Sequence, residues 1–364
     1  MTAQDKQIAN WHDRLVRTAI ALSVLVMVFF VARWSFAFML DDQAPKWVTT
    51  LVAIAVGVCG VWIFFWIFNE IISLIPGEKA RERLRPLVFV GPALALLIIY
   101  LIYPAINTIY LSFFDARSEN FVGLKNYAFI FTSPQVQVAF RNNILWIVVV
   151  TSVCVTLGLI IAVLVDRIQL ESIAKSIIFL PMAISSVGAS IIWRFVYAYQ
   201  PAGRAQIGIL NAIVVALGGQ PVGWFLRPPL NNFALMVIMI WLQTGFCMVV
   251  ISAALKAVPG ELLEAARIDG ANEFQAFLRV TVPYIKGTLI TVGTTVLIAV
   301  LKVFDIVYVM TRGNFNTEVI ANRMFLEMYR FYNFGRGSAL AVLLFLAVAP
   351  VMIINVRNLR RQRS

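Results

Sequence analysis

The sequence predicts an all-α polytopic membrane protein with about eight transmembrane helices. Apolar residues make up 61% of the 364 residues, and the mean hydropathy is +0.85. Soluble domains contain about 45–50% apolar residues, so a packed core alone does not account for this excess. A helix that crosses the bilayer needs about 20 mostly apolar residues, and the chain contains repeated runs of that length.

Eight apolar runs are long enough to cross the membrane. The first run is too long for a cleaved signal peptide and is followed at once by another run, so we expect it to be retained. The predicted spans are Leu15–Leu40, Trp47–Pro76, Leu87–Phe113, Asn143–Asp166, Ala174–Tyr199, Asn232–Val258, Tyr284–Met310 and Ser338–Arg357.

The distribution of Lys and Arg sets the predicted orientation. Cytoplasmic loops of membrane proteins carry an excess of these residues. With a cytoplasmic N-terminus, the inside loops and tails hold most of the 30 Lys and Arg residues, and the longer outside loops hold fewer. Both termini and the polar segment 259–283 are therefore expected in the cytoplasm. The net charge of +12 is explained by basic residues that flank spans at the lipid headgroups, so no nucleic-acid partner is predicted.

The polar segment 259–283 lies between two long apolar runs and must leave the membrane and return. Pro259 precedes a run of good helix formers. Glu261 and Glu264 are expected to place negative charge in the first helical turn, where the helix dipole favours it. These features predict a short helix at the start of the segment.

A second helix is predicted after a glycine stop. Gly270 follows Asp269 and is expected in the left-handed conformation that ends a helix. Asn272 then begins a second helix, with Gln275 at the position that completes a capping box. Small alanines between the charges allow a close approach by another protein. We interpret the segment as a rigid helical knob for a partner, and an ordinary cytoplasmic helical hairpin is the alternative.

Three groups of residues in this segment resemble the EAA loop of binding-protein-dependent ABC importers. They are Glu264-Ala265-Ala266, Asp269-Gly270-Ala271 with the adjoining Asn272, and Pro283. The chain has Val280 and Val282 where the family usually has Ile and Leu. In that family the loop couples the permease to a cytoplasmic ATPase. The resemblance therefore implies a transporter subunit that is not itself an enzyme, with ATP and Mg bound by partner ATPase subunits.

The resemblance covers residues 86–364, which contain six predicted spans and form the permease domain. Residues 1–85 hold a cytoplasmic tail and two additional spans, which resemble the N-terminal additions of maltose-type permeases. Phe121–Tyr127, in an outside loop, and Asp305–Gly313, at the end of the seventh span, resemble sugar-importer permeases in particular. The glycine run that usually follows the threonine is interrupted here by Arg312 and Asn314. The overall pattern is most similar to that of α-glucoside permeases.

This resemblance implies a carbohydrate importer in the inner membrane of a bacterial cell. The expected partners are a second homologous permease, two cytoplasmic ATPases and an extracytoplasmic sugar-binding protein. The expected substrate is an α-glucoside or a small oligosaccharide, moved by alternating access, and a polyol or a glycerol derivative is the alternative. An ion-coupled secondary transporter would show paired intramembrane acids or similar halves, and neither is evident. A membrane scaffold for a cytoplasmic enzyme is a further alternative.

The sequence offers no catalytic or metal-binding pattern. It lacks the phosphate-cradling GxxxxGK[ST] motif, and its single histidine, His12, is far from any second metal ligand. Cys59, Cys154 and Cys247 fall inside apolar runs without a CxxC pair, as is typical of buried free thiols. No catalytic residue, metal site or cofactor of this chain is predicted.

Polar residues inside the spans are candidates for a substrate pathway, because an unpartnered charge at bilayer depth costs about 2.5–3.5 kcal/mol. In the seventh predicted span, helical periodicity places Thr288, Thr291, Thr295, Lys302 and Asp305 on one side. This stripe is a candidate cavity lining. The alternatives are threonine hydroxyls bonded to their own helix and a local lysine–aspartate pair.

The sixth predicted span contains a second group of candidates. Gln243 and Phe246, with Trp241 and Thr244, interrupt an apolar run. An aromatic ring faces the C–H surface of a sugar well, although aromatics in membranes also serve packing. Phe246 matches, by its spacing from the EAA-like loop, a sugar-contacting aromatic of maltose-type permeases. Three valines occupy the polar sugar-contacting positions of the next span, so the partner permease is the alternative carrier of these contacts.

A proline interrupts the fifth predicted span. Pro181 frees a backbone carbonyl and favours a kink, and Ser185 and Ser186 follow it closely. Such a bend serves either gating or packing, and packing is the simpler interpretation.

Overall fold

The described parts of the chain are helical. The computed structural model describes residues 3–41, 44–73, 75 and 78–361. Within these ranges no β-strand is present, and Phe114 and Phe121 form an isolated antiparallel bridge. The chain divides into two compact units, with the boundary between Ile106 and Asn107. The predicted division at 85/86, which concerns groups of spans, stays a prediction.

The first unit is built from long apolar helices, in which α1 contacts α2 and α2 contacts α3. Its helices are α1 (Ala3–Met39), α2 (Lys46–Ser73) and α3 (Glu78–Leu97), and a π-helical turn at Ile98–Ile102 follows. Trp47 and Trp62 on α2 are 70% and 73% exposed. Large apolar side chains on the outside of a helix are stable in lipid and unfavourable in water.

The second unit contains shorter and longer helices in alternation. They are α4 (Tyr103–Leu111), which begins before the boundary, α5 (Lys125–Thr132), α6 (Pro134–Val165), α7 (Glu171–Phe179), α8 (Ser186–Val196), α9 (Ile209–Ala216), α10 (Leu230–Lys256), α11 (Gly260–Ile268), α12 (Glu273–Ala276), α13 (Val282–Tyr284), α14 (Lys286–Leu301), α15 (Asp305–Met310), α16 (Ile320–Phe325) and α17 (Phe334–Arg361). A 3-10 turn lies at Leu180–Ala183, and π-helical turns lie at Phe277–Thr281 and Leu326–Arg330.

Helix α10 lies at the centre of the second unit and contacts α6, α7, α8 and α14. Trp146 of α6 and Met248 of α10 are fully buried in the core that these helices share. A Cβ atom at Gly158 of α6 would lie 2.5 Å from the Cβ of Cys247 on α10, so only glycine permits this crossing. Close helix contacts through small residues are the usual means of association inside a bilayer, where lipid is as apolar as the side chains.

The predicted count of eight spans is not confirmed. Among the described residues, five helices are long and apolar enough to cross a membrane, and two bent helix pairs bring the number to seven if each pair is one crossing. Ser23–Met39 of α1 is a shorter apolar stretch. The five are Lys46–Ile72, Glu78–Leu111, Pro134–Val165, Leu230–Lys256 and Phe334–Ile353.

Two predicted spans are not continuous helices. The chain over Ala174–Tyr199 bends by 101° between Glu171–Ala183 and Ser186–Val196, next to the proline where the sequence predicts a kink. The seventh predicted span is bent by 67° at its start, between Glu273–Tyr284 and Lys286–Leu301. Its helix also ends at Leu301, before the predicted end.

The predicted topology rests partly on residues beyond the described part. The side chains of Lys6, His12 and Arg14 in the N-terminal tail lie outside it, as does Arg363 near the C-terminus. The cytoplasmic location of both tails stays a prediction.

Candidate functional site

The polar segment 259–283 has the local structure that its sequence predicts. Helix α11 ends, and Gly270 follows with a φ of +83°, in the left-handed region. The backbone N–H of Gln275 donates to Oδ1 of Asn272 at 2.8 Å, and the backbone N–H of Asn272 donates to Oε1 of Gln275 at 3.0 Å. The predicted helix stop and the predicted capping box are therefore both confirmed.

The turn at Gly270 is closed by backbone and side-chain contacts. The N–H of Ala271 donates to the carbonyl oxygen of Ala266 at 2.9 Å, which satisfies a carbonyl at the end of α11. Arg267 and Glu273 form an ion pair of 2.9 Å across the turn. Both side chains are more than half exposed, so this pair contributes at most about 1 kcal/mol. The hydrogen bonds of the backbone and the cap define the shape of the segment.

The surface of this segment is available to a partner. Glu264, Ala265 and Asp269 are exposed, as is Gly270, while Ala266 and Ala271 are half-buried. Only Glu261 lies in the first turn of α11; the expectation for Glu264 was wrong, because it lies one turn further on.

Ile268 is an exposed apolar residue of this segment that the sequence reasoning missed. Its side chain is 86% exposed at the end of α11. An isoleucine next to an Asp-Gly stop was the available signal, because a lone apolar residue at the tip of a polar turn is a natural contact for a partner protein.

The segment does not stop at Pro283. A helical path runs from Glu273 through Pro283 to Tyr284 before the 67° bend into α14. The π-helical turn before the proline lets the N–H of Val282 reach the carbonyl oxygen of Phe277, five residues earlier. The exposed knob is thus joined to α14 by a short helical path and one bend, without an intervening loop.

The fifth predicted span is broken near its middle. Pro181 lies in the 3-10 turn, and Ser185 caps the following helix by accepting the N–H of Gly188 at 3.0 Å. The predicted kink at Pro181 is present as a bend of 101°. A proline, a tight turn and a new cap together explain why α7 and α8 are separate helices.

Gly245 of α10 accommodates this break. A Cβ atom there would lie 2.5 Å from the carbonyl oxygen of Ile178 and 2.8 Å from Cα of Phe179. Both predicted pathway residues of the sixth span, Gln243 and Phe246, flank this glycine and are half-buried. The fold therefore places the part of α10 that carries the sixth-span candidates beside the end of α7, whereas the sequence reasoning treated the two spans separately.

The break is partly open on the surface of the chain. Phe179, Met182 and Ala183 are exposed. Backbone that is not helical cannot face lipid, because its free N–H and C=O groups have no partners there; it must face a water-filled cavity or another protein subunit. Broken helices at membrane depth are also where transporters bind their substrates. The break and the flanking part of α10 are consequently the best candidate for a translocation pathway.

The seventh-span stripe needs correction. Helix α14 ends at Leu301, so Lys302 and Asp305 do not follow its periodicity, and the expectation that one helix aligns all five polar residues was wrong. Lys302 and Asp305 are each exposed, and the described residues contain no ion pair between them. Their role in a pathway stays a prediction.

The threonines of α14 bond to their own helix. The hydroxyl of Thr291 donates to the carbonyl oxygen of Gly287 at 3.0 Å, and that of Thr295 donates to Thr291 at 2.9 Å. This is the alternative that the sequence left open for them. Each hydroxyl oxygen can still accept a hydrogen bond from a ligand, and Thr295 is exposed.

The stretch Asp305–Gly313 ends in a loop that two helices hold in place. Nδ2 of Asn142 on α6 donates to the carbonyl oxygen of Asn316 at 2.7 Å. Nδ2 of Asn231 on α10 donates to the carbonyl oxygen of Phe315 at 2.6 Å. Phe315 and Asn316 have φ values of +56° and +61°, and these anchors offset the strain of left-handed backbone.

The stretch Phe121–Tyr127 is also anchored. Asn126 is buried, and its Nδ2 donates to the carbonyl oxygens of Ser112 and Phe114 at 2.9 and 2.7 Å. Both stretches that resemble sugar permeases therefore form ordered surfaces.

The second unit is a bundle of spanning helices. It has a broken span beside its central helix and a rigid polar knob between two spans, which is the architecture of a multi-pass transport permease. The chain belongs to the family of binding-protein-dependent transport system inner membrane components, whose sequence model matches residues 154–364. The predicted family is thereby confirmed.

Two curated relatives extend the match. The osmoprotective compounds uptake permease protein GgtC of Synechocystis sp. is 63% identical over 277 residues, which are 76% of this chain and 99% of that protein. The alpha-glucoside transport system permease protein AglF of Rhizobium meliloti is 47% identical over 334 residues, which are 88% of this chain and 98% of that protein.

A solved structure supports the fold. A chain of a bacterial alginate ABC transporter, in complex with an alginate-pentasaccharide-bound periplasmic protein, superimposes with a TM-score of 0.67 at 19% identity. The match covers 78% of this chain and 96% of that one. The all-α architecture predicted from the sequence is therefore confirmed.

Proposed function

We propose that this chain is the membrane-spanning permease subunit of an ATP-driven importer for an α-glucoside or a small oligosaccharide. It pairs with a second, homologous permease, and two cytoplasmic ATPase subunits bind ATP and Mg. An extracytoplasmic binding protein delivers the sugar. The chain spans the inner membrane with both termini in the cytoplasm and itself hydrolyses nothing.

The observation that carries this proposal is the form of the segment 259–283. Its first part is exposed, its shape is fixed by its own hydrogen bonds, and it joins α14 through one bend of 67° without an intervening loop. These are the properties that a coupling element needs, because movement of an attached ATPase must be passed on without being absorbed by a flexible loop. Residues Glu264 to Asn272 form the docking surface, and closing of the ATPase dimer would move α14 relative to the rest of the bundle.

The substrate class follows from the break in the fifth span and from the relatives. Gln243 and Phe246 provide an amide and an aromatic ring on α10, the helix that contacts the broken span, and such groups suit hydroxyl groups and C–H faces of a sugar. Relatives named for α-glucosides, trehalose and maltose, and lactose are similar over much of the chain. A second candidate is an osmoprotective compound, because the relative of that name shares 63% identity.

Reconstitution of the complete importer in vesicles tests this proposal. The complex would be supplied with binding protein outside and ATP inside, and uptake of radiolabelled maltose, trehalose and glycine betaine would be compared. We expect ATP-dependent uptake of the glucosides. Uptake of glycine betaine alone would show that the substrate is a non-carbohydrate osmoprotectant. Uptake that follows an ion gradient without ATP would contradict the proposal of an ATP-driven importer.

A further inference from the structure

A compact ion cluster lies at the cytoplasmic end of the central helices. Nζ of Lys175 lies 2.7 Å from Asp166 and 2.5 Å from Glu171, and it also donates to the hydroxyl of Ser252. The Ser252 hydroxyl donates to Oδ1 of Asp166 at 2.6 Å, and Lys256 lies 2.5 Å from Glu171. Two cations and two anions thus share one hydrogen-bonded network.

The cluster joins three elements that are distant in sequence. Asp166 directly follows α6, and Glu171 and Lys175 belong to α7, the half-helix below the break in the fifth span. Ser252 and Lys256 lie in the last turns of α10, just before the polar segment begins at residue 259. The network therefore attaches the broken span to the helix that leads into the proposed coupling segment.

Lys175 is the centre of this network. Its side chain is 18% exposed and that of Asp166 is 17% exposed, whereas Lys256 is 54% exposed. Within the described residues, Lys175 alone contacts both acids of the cluster. Removing one partner of a shielded ion pair leaves the remaining charge without compensation, which is far more disruptive than losing a pair at the surface.

The rest of α7 is held by packing. Ala174 and Ile178 contact the hydrophobic core to which α10 contributes, and Gly245 of α10 lies against the end of α7. An open groove of about 620 Å³ adjoins the cluster on the outer side and is lined by Lys175, Glu171 and Ser172 of α7 and by Val249 of α10. The ion cluster is therefore the polar attachment at the start of the half-helix, and apolar contacts hold the remainder.

We propose that Lys175 is a positioning residue that fixes α7 to the cytoplasmic end of α10 and so transmits movement of the coupling segment to the break in the fifth span. The inference rests on the proposed function, because it needs an ATPase that moves the segment. It does not depend on which substrate is carried. Lys175 touches no substrate in this account and acts through the position of α7.

The first test compares transport with ATP hydrolysis in the reconstituted importer. We expect Lys175→Met to lower substrate uptake per ATP hydrolysed by at least about tenfold, because the shielded Asp166 carboxylate loses its cation and the bridge to Glu171 of α7 is broken. Lys175→Arg, which can still bridge both acids, should retain the wild-type ratio. Lys79→Met, at an exposed lysine of α3, is the matched control. A purely structural role would lower uptake, hydrolysis and complex yield together, and that result would overturn the inference.

The second test does not require a known substrate. Spin labels at Ser172→Cys on α7 and Ser152→Cys on α6 would report the position of the half-helix in a Cys59→Ser background, since the other two cysteines are buried. A second pair, Leu262→Cys with Ser152→Cys, would report the coupling segment. ATP binding should change both distances in the otherwise wild-type complex. With Lys175→Met, only the coupling-segment distance should change.

The outcomes separate the inference from the proposed function. If maltose and trehalose are not taken up but the α7 distance responds to ATP through Lys175, the proposed substrate fails and the inference stands. If α7 moves equally with Lys175→Met, or does not move in the wild type, the inference is wrong whatever the substrate.

Discussion

The coupling segment and the break in the fifth span both interrupt regular helix, but different interactions maintain them. In the segment 259–283, the decisive hydrogen bonds join residues that are three to five positions apart, such as Asn272 and Gln275. At the break, a proline and the Ser185 cap separate the two helices locally, but α7 is also held by a glycine of another helix, Gly245, and by an ion cluster whose members lie 77 and 86 residues apart. One interruption is held by local contacts, and the other by local and tertiary contacts together.

This difference has a functional consequence. A locally determined knob keeps its shape while a partner pulls on it, because its hydrogen bonds move with it. A break held by neighbouring helices changes when those neighbours move. The first arrangement suits a segment that receives movement from the ATPase. The second suits the part of the transporter that changes conformation in response.

Gly245→Ala should give the largest effect, because it acts on the interruption that depends on neighbours. The added methyl group would meet the backbone at Ile178 O and Phe179 Cα, which cannot rotate away. Overpacking of this kind destabilises by about 1–3 kcal/mol, and we expect a lower unfolding temperature in detergent and a large loss of uptake. Gly293→Ala is the control, since its nearest neighbour, Val155 Cγ2, would lie at 3.7 Å. Equal effects of the two variants would show that the break does not rest on α10 as described.

Asn272→Ala removes the capping box of the coupling segment. The loss of such a cap costs about 1 kcal/mol, and the effect should remain in the exposed segment. We therefore expect severalfold weaker binding of the ATPase subunits, measured by titration of the purified permease pair, with an unchanged unfolding temperature. Asn272→Ser, which can still cap, should bind as the wild type does. A drop in unfolding temperature without a change in ATPase binding would contradict a locally determined knob.

Ser185→Ala removes the corresponding cap at the break. The chemical loss is again about 1 kcal/mol, but the affected helix end adjoins the candidate pathway. The expected result is a raised KM for uptake with unchanged ATPase binding, the reverse of the pattern at Asn272. Ser185→Thr keeps the hydroxyl and serves as the control. If both cap variants change the same property, the two interruptions do not have separate roles.

Glu318→Gln, in the loop that follows α15, should have the smallest effect of these variants, and that effect should be on stability. Burial raises the pKa of the Glu318 carboxyl above its ordinary value of 4.5, against the opposing effect of hydrogen bonds from Asn322 and the backbone of Val319. The folded protein therefore holds this proton more tightly than the unfolded chain, and the stability due to it falls as pH rises from 4.5 through the raised pKa.

The glutamine variant should remove this part of the pH dependence, as measured by the unfolding temperature from mildly acidic to neutral pH. ATPase binding and KM should stay unchanged. Glu119→Gln, at an exposed acid, is the control, and identical pH profiles for the wild type and Glu318→Gln would contradict the burial of a raised-pKa carboxyl.

The sequence was sufficient where the determining contacts are local. The glycine stop at Gly270 and the cap at Asn272 follow from residue types a few positions apart, so their geometry was predictable. The bend at Pro181 was predictable as a kink, but its size was not, because α7 is also held by Gly245 of another helix. The cluster around Lys175 gave no pattern in the sequence, since its partners come from three separate helices. The stripe on the seventh span failed because helical periodicity was extended past Leu301, where the helix ends.

The candidate pathway shows the same limit. Gln243 and Phe246 stood out as polar and aromatic interruptions of an apolar run, and only the fold shows that their helix meets the broken span at the neighbouring Gly245. Apolar runs indicate how many times a chain crosses a membrane, but they do not distinguish a straight span from a broken one of equal composition.

The most direct test of the account is co-purification of the chain from native membranes after gentle solubilisation. Gly270→Val places a branched side chain at a φ of +83° with no atom within 4 Å, so it strains only the coupling segment. Gly203→Val imposes the same strain at a φ of +86°, again with open surroundings, in a predicted outside loop. The account predicts that the wild type and Gly203→Val recover an ATPase and a second permease, and that Gly270→Val loses the ATPase. Recovery of the ATPase by Gly270→Val at the wild-type level, or purification of the wild type alone, would contradict it.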